Sequence, residues 1–179
     1  TLNNNACISS DTADNDSGNN CDGTTVVVGD FSNPYSNKRE VDDAIATNVG
    51  DVITYEITYG NNGNLDAADV ILTEDIPEFT CYVVGSIEAN AIAGVNIEYS
   101  DDSGATWAYT PTADSDGNDC SVTNARLVFT SDLPSGTEET FTLSVTVEDD
   151  LNLLANSETI SNNVCIETST PQTLSLIHI

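Results

Sequence analysis

Residues 50–79, GDVITYEITYGNNGNLDAADVILTEDIPEF, restrict what this chain can become more than any other stretch. Ile53, Tyr55, Ile57 and Tyr59 alternate with Val52, Thr54, Glu56 and Thr58. One face of an extended segment is therefore apolar and the other mixed, and a period of two predicts a strand with one face on a core. Gly60, Asn61, Asn62, Gly63 and Asn64 then break the run with residues that tolerate turns and left-handed backbone. A second strand is expected over 69–73, stopped by Asp75, Ile76 and Pro77, because proline cannot donate to a ladder.

The same pattern recurs along the chain. Strands are expected over 81–87, 95–99, 126–129, 139–148 and 159–168. The clearest of them turns Phe141, Leu143, Val145 and Val147 inward and Thr140, Thr142, Ser144 and Thr146 outward. No long stretch carries a helical period, and Thr, Val and Ile fill the alternating runs. The fold expected is all-β, an antiparallel two-sheet immunoglobulin-like β-sandwich with an extended N-terminal arm. Its interior should hold Ile53, Tyr55, Ile57, Trp107, Leu127, Phe129, Phe141, Leu143 and Val145. With 179 residues the chain suits one well-buried domain with arms. The division expected is an acidic arm over 1–36, the sandwich over 37–170 and a linker over 171–179.

Several motifs stand in a fixed order: Gly50-Asp51 before Ile53-Thr54-Tyr55, then Asn61, Gly63 and Asn64 with Ala67 and Val70, then Thr73-Glu74-Asp75-Ile76-Pro77. Val84-Gly85-Ser86-Ile87, Ile97-Glu98-Tyr99-Ser100, Leu133-Pro134-Ser135-Gly136 and Ile160-Ser161-Asn162-Asn163-Val164 follow. Together, over roughly residues 41–168, they resemble the prokaryotic surface-protein repeat known as domain of unknown function eleven. The resemblance implies an extracellular β-sandwich module of wall, adhesin or filament proteins, without shared catalytic residues.

Charge narrows the partners. Three Lys or Arg face thirty Asp or Glu, a formal net charge of −27. Nucleic acid and anionic membrane surfaces would repel such a chain, so neither nucleic-acid binding nor membrane insertion is expected. Divalent cations and water are the natural counterparts, with solubility or a saline habitat as the plainer alternative. Lys38 and Arg39 are read as local partners for Asp42 and Asp43.

Two acidic loops are candidate calcium sites. In the first, Asp14, Asp16 and Asp22 lie between or beside Cys7 and Cys21, and alternating carboxylates and Asn amides are how short loops wrap oxygens around a hard cation. The bidentate Glu that closes an EF-hand is missing, and a solvated linker is the alternative. Asn15-Asp16-Ser17 is also a sequon for N-glycosylation. In the second loop Asp114, Asp116 and Asp119 have the spacing of calcium-binding turns, with an ordinary surface turn as the alternative.

The five cysteines form no CxxC pair and the single His is at position 178, which argues against zinc. Scattered cysteines in an acidic, Met-free chain suggest disulfides formed in an oxidising compartment. The expected pairs are Cys7–Cys21 and Cys81–Cys120, with Cys165 left over or bonded to another chain. The apolar run 24–28, TTVVV, is either the first strand of the sandwich or a strand donated to a neighbouring subunit.

Ser100, Asp102, Gly104, Thr106 and Trp107 match the Asp-box, S-x-D-x-G-x-T-W, a hairpin whose Asp satisfies turn amides. The motif is familiar from sialidases, where its role is structural. The cluster of arginines that binds a sialic acid carboxylate is missing, because Arg39 and Arg126 are the only arginines. No His lies in the sandwich for a Ser-His-Asp or Cys-His arrangement. Among thirty acids no pair stands out for glycoside hydrolysis.

No start Met, signal peptide or long apolar span is seen, so a mature or excised piece is expected. Leu174-Ser175-Leu176-Ile177-His178-Ile179 is the translation of CTGTCTCTTATACACATC, a transposon-end sequencing adapter. The natural sequence is then expected to stop near Thr173; a genuine apolar tail strand is the alternative. The function expected is a non-enzymatic extracellular structural module, calcium-stabilised and assembling with copies of itself or adjacent repeats by strand addition. The alternative is a module that binds surface glycans, with Tyr35, Tyr82 or Tyr109 stacking on sugar.

Overall fold

The computed structural model describes residues 2–9, 11–12, 20–26, 29–41, 48–87, 94–148 and 159–170. All regular structure in them is β. Eleven strands are present: β1 (Leu2–Cys7), β2 (Cys21–Val26), β3 (Pro34–Glu40), β4 (Val52–Asn61), β5 (Ile71–Asp75), β6 (Thr80–Val83), β7 (Val95–Ser100), β8 (Asn118–Asp119), β9 (Asn124–Phe129), β10 (Glu138–Val147) and β11 (Val164–Glu167). Every strand pairing is antiparallel. One sheet has the order β3-β4-β10-β6-β8 and the other β11-β5-β9-β7, and together they make the sandwich.

The alternating runs do what their period requires. β4 and β10 pair so that Phe141 lies opposite Ile57, Leu143 opposite Tyr55 and Val145 opposite Ile53. All six are buried, as are Leu72, Ala125 and Leu127 from the other sheet. Thr140 and Thr142 are exposed on the outer face, so the register is the expected one. Burying a Leu or Ile side chain of this kind stabilises by about 1.5–3 kcal/mol, and a slip of one residue would invert the whole face.

Chain position 60–64 works differently from the sequence expectation. Gly60 belongs to β4, and neither Gly60 nor Gly63 has a positive φ. Both are required for close approach instead. A Cβ on Gly60 would lie 2.3 Å from the Thr137 carbonyl oxygen, and one on Gly63 would lie 2.4 Å from that of Phe31. Between them, Asn61 is wholly buried. Its Oδ1 accepts from the amides of Asn33 and Gly63 at 2.9 and 3.1 Å, and its Nδ2 donates to the carbonyls of Leu65 and Leu133 at 2.8 and 3.1 Å. A buried amide with four partners is stable there, and it ties three loops together.

Trp107 departs from expectation: it is half-buried and outside the core. The Asp-box turn carries it past the end of β7, where the Arg126 guanidinium lies 4.4 Å from its ring centroid. Phe129 is also only partly buried, packing edge-on against Tyr59 at 5.4 Å between ring centroids.

The chain divides into two compact units, Thr1–Asp30 and Phe31–Ile179. The first is the β1–β2 hairpin, so the run beginning at Thr24 is no first strand of the sandwich; that place is taken by β3. Residues 34–36, assigned to the arm from sequence, belong to β3 and pair with β4. β1 and β3 escaped sequence reading because neither alternates apolar and polar side chains: β1 is exposed throughout, and the half-buried positions of β3 include Ser36, Lys38 and Glu40.

Disulfides join Cys7 to Cys21 and Cys81 to Cys120, and Cys165 is a free, exposed thiol. Residues 171–179 lie outside the described residues, as do Asp42 and Asp43.

Candidate functional site

The second acidic loop is held by its own backbone. Asp114 Oδ1 accepts from the amides of Asp116 and Asn118, both at 2.9 Å, and the Asp114 amide donates to the Asn118 carbonyl at 2.9 Å. These amide bonds, that of Asn118 foremost, lower the Asp114 pKa from its ordinary value. Asp119, in β8, points inward and is 6% exposed. One of its oxygens accepts from the Tyr109 hydroxyl at 2.9 Å and the Thr112 amide at 2.8 Å; the other accepts from the Ser121 amide at 2.9 Å. Burial alone would raise this carboxyl, but the amides of Thr112 and Ser121 and the neighbouring hydroxyls outweigh it and leave it lowered. Asp116 is exposed at the tip. Asp114, Asp116 and Asp119 therefore share a loop but do not converge their oxygens on a common point. Of the other candidates, Asp22 is exposed in β2 and accepts from the Gly23 amide at 2.9 Å. Asp14 and Asp16, with the sequon, lie outside the described residues.

The Asp-box adjoins this loop through Tyr109. Asp102 accepts from the Thr106 amide and hydroxyl, each at 2.8 Å, and from the buried Ser100 hydroxyl at 2.7 Å. The Thr106 amide is the main cause of its lowered pKa. Ser103 and Gly104 take positive φ, 59° and 82°, to make the turn. The motif thus serves as a structural corner, as its sequence implies. Arg126, which stacks on Trp107, also pairs with Glu98 at 2.5 Å. Tyr82, one of the aromatic side chains expected to meet sugar, is wholly buried and shares a 3.0 Å hydrogen bond with Tyr99; Tyr35 and Tyr109 are half-buried.

Among the described residues, one group of three possible metal ligands lies within 4.8 Å: Cys81, Cys120 and Glu148. Its two sulfurs are bonded to each other, so they offer no thiolate to a metal. An open cleft beside it is lined by Asp75, Glu78 and Glu148 together with Pro77, Phe79 and Thr123. The acid whose proton affinity rises most, Glu74, is not in that cleft.

Glu74 belongs to a cluster that sequence reading missed. It sits in β5, two residues after the buried Leu72 and on the same face, and is fully buried. Its Oε2 pairs with Nζ of Lys38 from β3, whose side chain is 9% exposed. Burial outweighs their mutual attraction, pushing Glu74 up to about 7 and Lys38 down, so both move toward the uncharged form. Lys38 Nζ also lies 5.1 Å from the Tyr55 ring centroid, and the Tyr55 hydroxyl is under the influence of the Asn162 side chain. Glu74 Oε1 and both polar atoms of the Asn162 carboxamide are buried without a well-formed hydrogen bond. Each such orphan ordinarily destabilises by about 1–3 kcal/mol. A sequence signal existed: Lys38 is the only lysine of the chain, and Glu74 falls on the apolar phase of its strand. Lys38 pairs with Glu74 and Arg39 with Glu56; the adjacent acids named from sequence, Asp42 and Asp43, lie outside the described residues.

No helix among the described residues is long and apolar enough to cross a membrane. No protein-family model matches the chain, and no curated protein is found to be similar to it.

Proposed function

We propose that this chain is a non-enzymatic extracellular structural module, either one repeat of a surface protein or the subunit of a filament, joined to its neighbours by strand addition. The observation that carries the proposal is the separation into two units: a disulfide-closed hairpin, and a sandwich with its own core. Among the described residues, β2 has a partner on one side only in the hairpin's sheet. In the sandwich, β3, β8, β11 and β7 are edges among the described strands. Unpaired edge amides and carbonyls are templates for another strand. Two disulfides agree with an oxidising, extracellular setting, and the likeness to surface-protein repeats points the same way. The commitment of Asp114, Asp119 and Asp102 to internal hydrogen bonds supports a mechanical role for these acids over a catalytic one.

Calcium enters this proposal on grounds of charge. A net charge of −27 opposes the compact state unless cations bind or condense. With Asp119 committed to the protein, a cation at 114–119 would rest on Asp116, Asp114 and water, with an affinity in the range of about 0.1–1 mM typical of extracellular modules. Deleting residues 1–30 tests the assembly. The truncated chain should remain a folded monomer while the full chain forms fibres visible by negative-stain microscopy. Fibres from the truncated chain would overturn strand addition by the hairpin. Binding of the full chain to surface glycans on an array, without self-association, would favour the adhesive alternative.

A further inference from the structure

The first and last strands of the sandwich, β3 and β11, are edge strands of opposite sheets and lie against each other. Three functional groups meet along that seam. Lys38 projects from β3 onto Glu74 of β5. Glu74 is the register partner of Val164 in β11, and the Asp75 amide donates to the Asn163 carbonyl at 3.3 Å. Asn162 shares the inward phase with Val164 one pleat away, and its side chain lies near the Tyr55 hydroxyl without a well-formed hydrogen bond to it; the Tyr55 ring lies under Lys38. An amine, a carboxylic acid and a primary carboxamide, with the polar atoms of the last two buried, are thus ranged about Tyr55.

We propose that Lys38 and Asn162 become joined by an intramolecular isopeptide bond, formed by the folded chain itself with Glu74 as the catalytic acid–base. The lone pair of Lys38 Nζ adds to Asn162 Cγ, while the protonated Glu74 carboxyl donates to the oxygen that gains charge. The tetrahedral carbon then collapses: the amine proton passes through Glu74 to Nδ2, the Cγ–Nδ2 bond breaks as ammonia leaves, and the oxygen returns its proton to Glu74 as the carbonyl re-forms. One secondary amide and one ammonia replace one amine and one carboxamide, no electrons are exchanged, and Glu74 ends as it began. A buried amine is nucleophilic only when uncharged, and a buried acid donates only when protonated. Burial drives Lys38 and Glu74 toward those two forms.

A simple ion pair accounts for less. It occupies one oxygen of Glu74 and leaves the other, with both polar atoms of Asn162, unsatisfied in the interior. The amide product carries an N–H donor and a carbonyl acceptor beside Glu74, which can then use both of its oxygens, one as acceptor and one as donor. A chain with thirty acids and one lysine has also placed that lysine inside, while its two arginines make the more exposed ion pairs with Glu56 and Glu98. Arginine could not replace it, because a guanidinium that stays protonated is no nucleophile. The bond would clamp the two ends of the sandwich, so that tension along the chain would pass through a covalent link that reductants cannot cut. It holds whatever the partners of the chain are, and so stands apart from the proposed function.

The test is the intact mass of the full chain, measured denatured and reduced after incubation of the folded protein. The expected mass is lower than the sequence mass by one ammonia, and a tryptic digest should contain a branched peptide joining Lys38 to Asn162. K38M and N162A should keep the full sequence mass. E74Q should lose ammonia more slowly by about 10²–10⁴-fold, the range general acid–base catalysis contributes. Wild-type chain at its full mass, or ammonia loss that persists in K38M, overturns the bond regardless of how well the variants fold. An unchanged rate in E74Q overturns the role of Glu74.

Discussion

Replacing Asp119 by Ala separates a structural carboxylate from a metal ligand. The side chain is 6% exposed and accepts three hydrogen bonds, from Tyr109, Thr112 and Ser121. Hydrogen bonds to a charged group contribute about 1.5–3 kcal/mol each, so their sum sets an upper limit of roughly 5–9 kcal/mol. Thr112 and Ser121 are themselves exposed, and water can re-pair their amides. The expected loss is therefore about 2–4 kcal/mol, with the Cys81–Cys120 bond keeping the end of the loop in place. Urea unfolding at neutral pH, monitored by the fluorescence of Trp107, gives the number. The loss should be the same with chelator and with millimolar calcium, because the donors are protein groups. A loss below about 0.5 kcal/mol, the range of ordinary surface substitutions, or one that appears only in calcium, would refute this assignment. The pH dependence has a definite sign. Asp119, Asp114 and Asp102 all lie below the ordinary carboxylate value of 3.8 in the folded chain. Their stabilisation is present above that value and is lost as pH falls through the lower folded values. Wild-type stability should thus drop more steeply in acid than that of D119A.

Leu127→Ala and Leu143→Ala, each emptying a fully buried position of opposite sheets, should destabilise by about 2–5 kcal/mol in the same assay; an effect under about 1 kcal/mol would mean that the sheets do not pack through them. Removing Cys81–Cys120, a 39-residue separation, should destabilise the sandwich by about 4 kcal/mol on the chain-entropy estimate. Removing Cys7–Cys21 should leave that transition unchanged, since the hairpin is a separate unit; a shift would show that the two unfold together. Calcium at a few times its dissociation constant should raise the melting temperature more than ionic-strength-matched sodium does, and D116N should remove the difference. Equal shifts in the two salts would leave the acids as a solvated surface.

The two-sheet core was legible in the sequence because its cause is local. A strand with one wet face must alternate, and β4 and β10 write their registers in Ile53 to Tyr59 and Phe141 to Val147. The Asp-box was legible for the same reason, since every donor to Asp102 lies within four residues of it. The disulfide pairs followed from sequence too, one closing a loop and the other tying one down. Two of the edge strands, β1 and β3, carry no such signature: they are defined by pairing with a neighbour, not by alternation of their own side chains. Only the folded chain could show that Gly60 and Gly63 make room for backbones 77 and 32 residues away, or that Trp107 lies under Arg126 rather than in the core. The same holds for the acids. Spacing made Asp114, Asp116 and Asp119 look equivalent, whereas direction decides what a carboxylate meets, and Asp119 turns inward. Lys38, Glu74 and Asn162 stand far apart along the chain, and the stacking of β3, β5 and β11 is what gives them one interior in common.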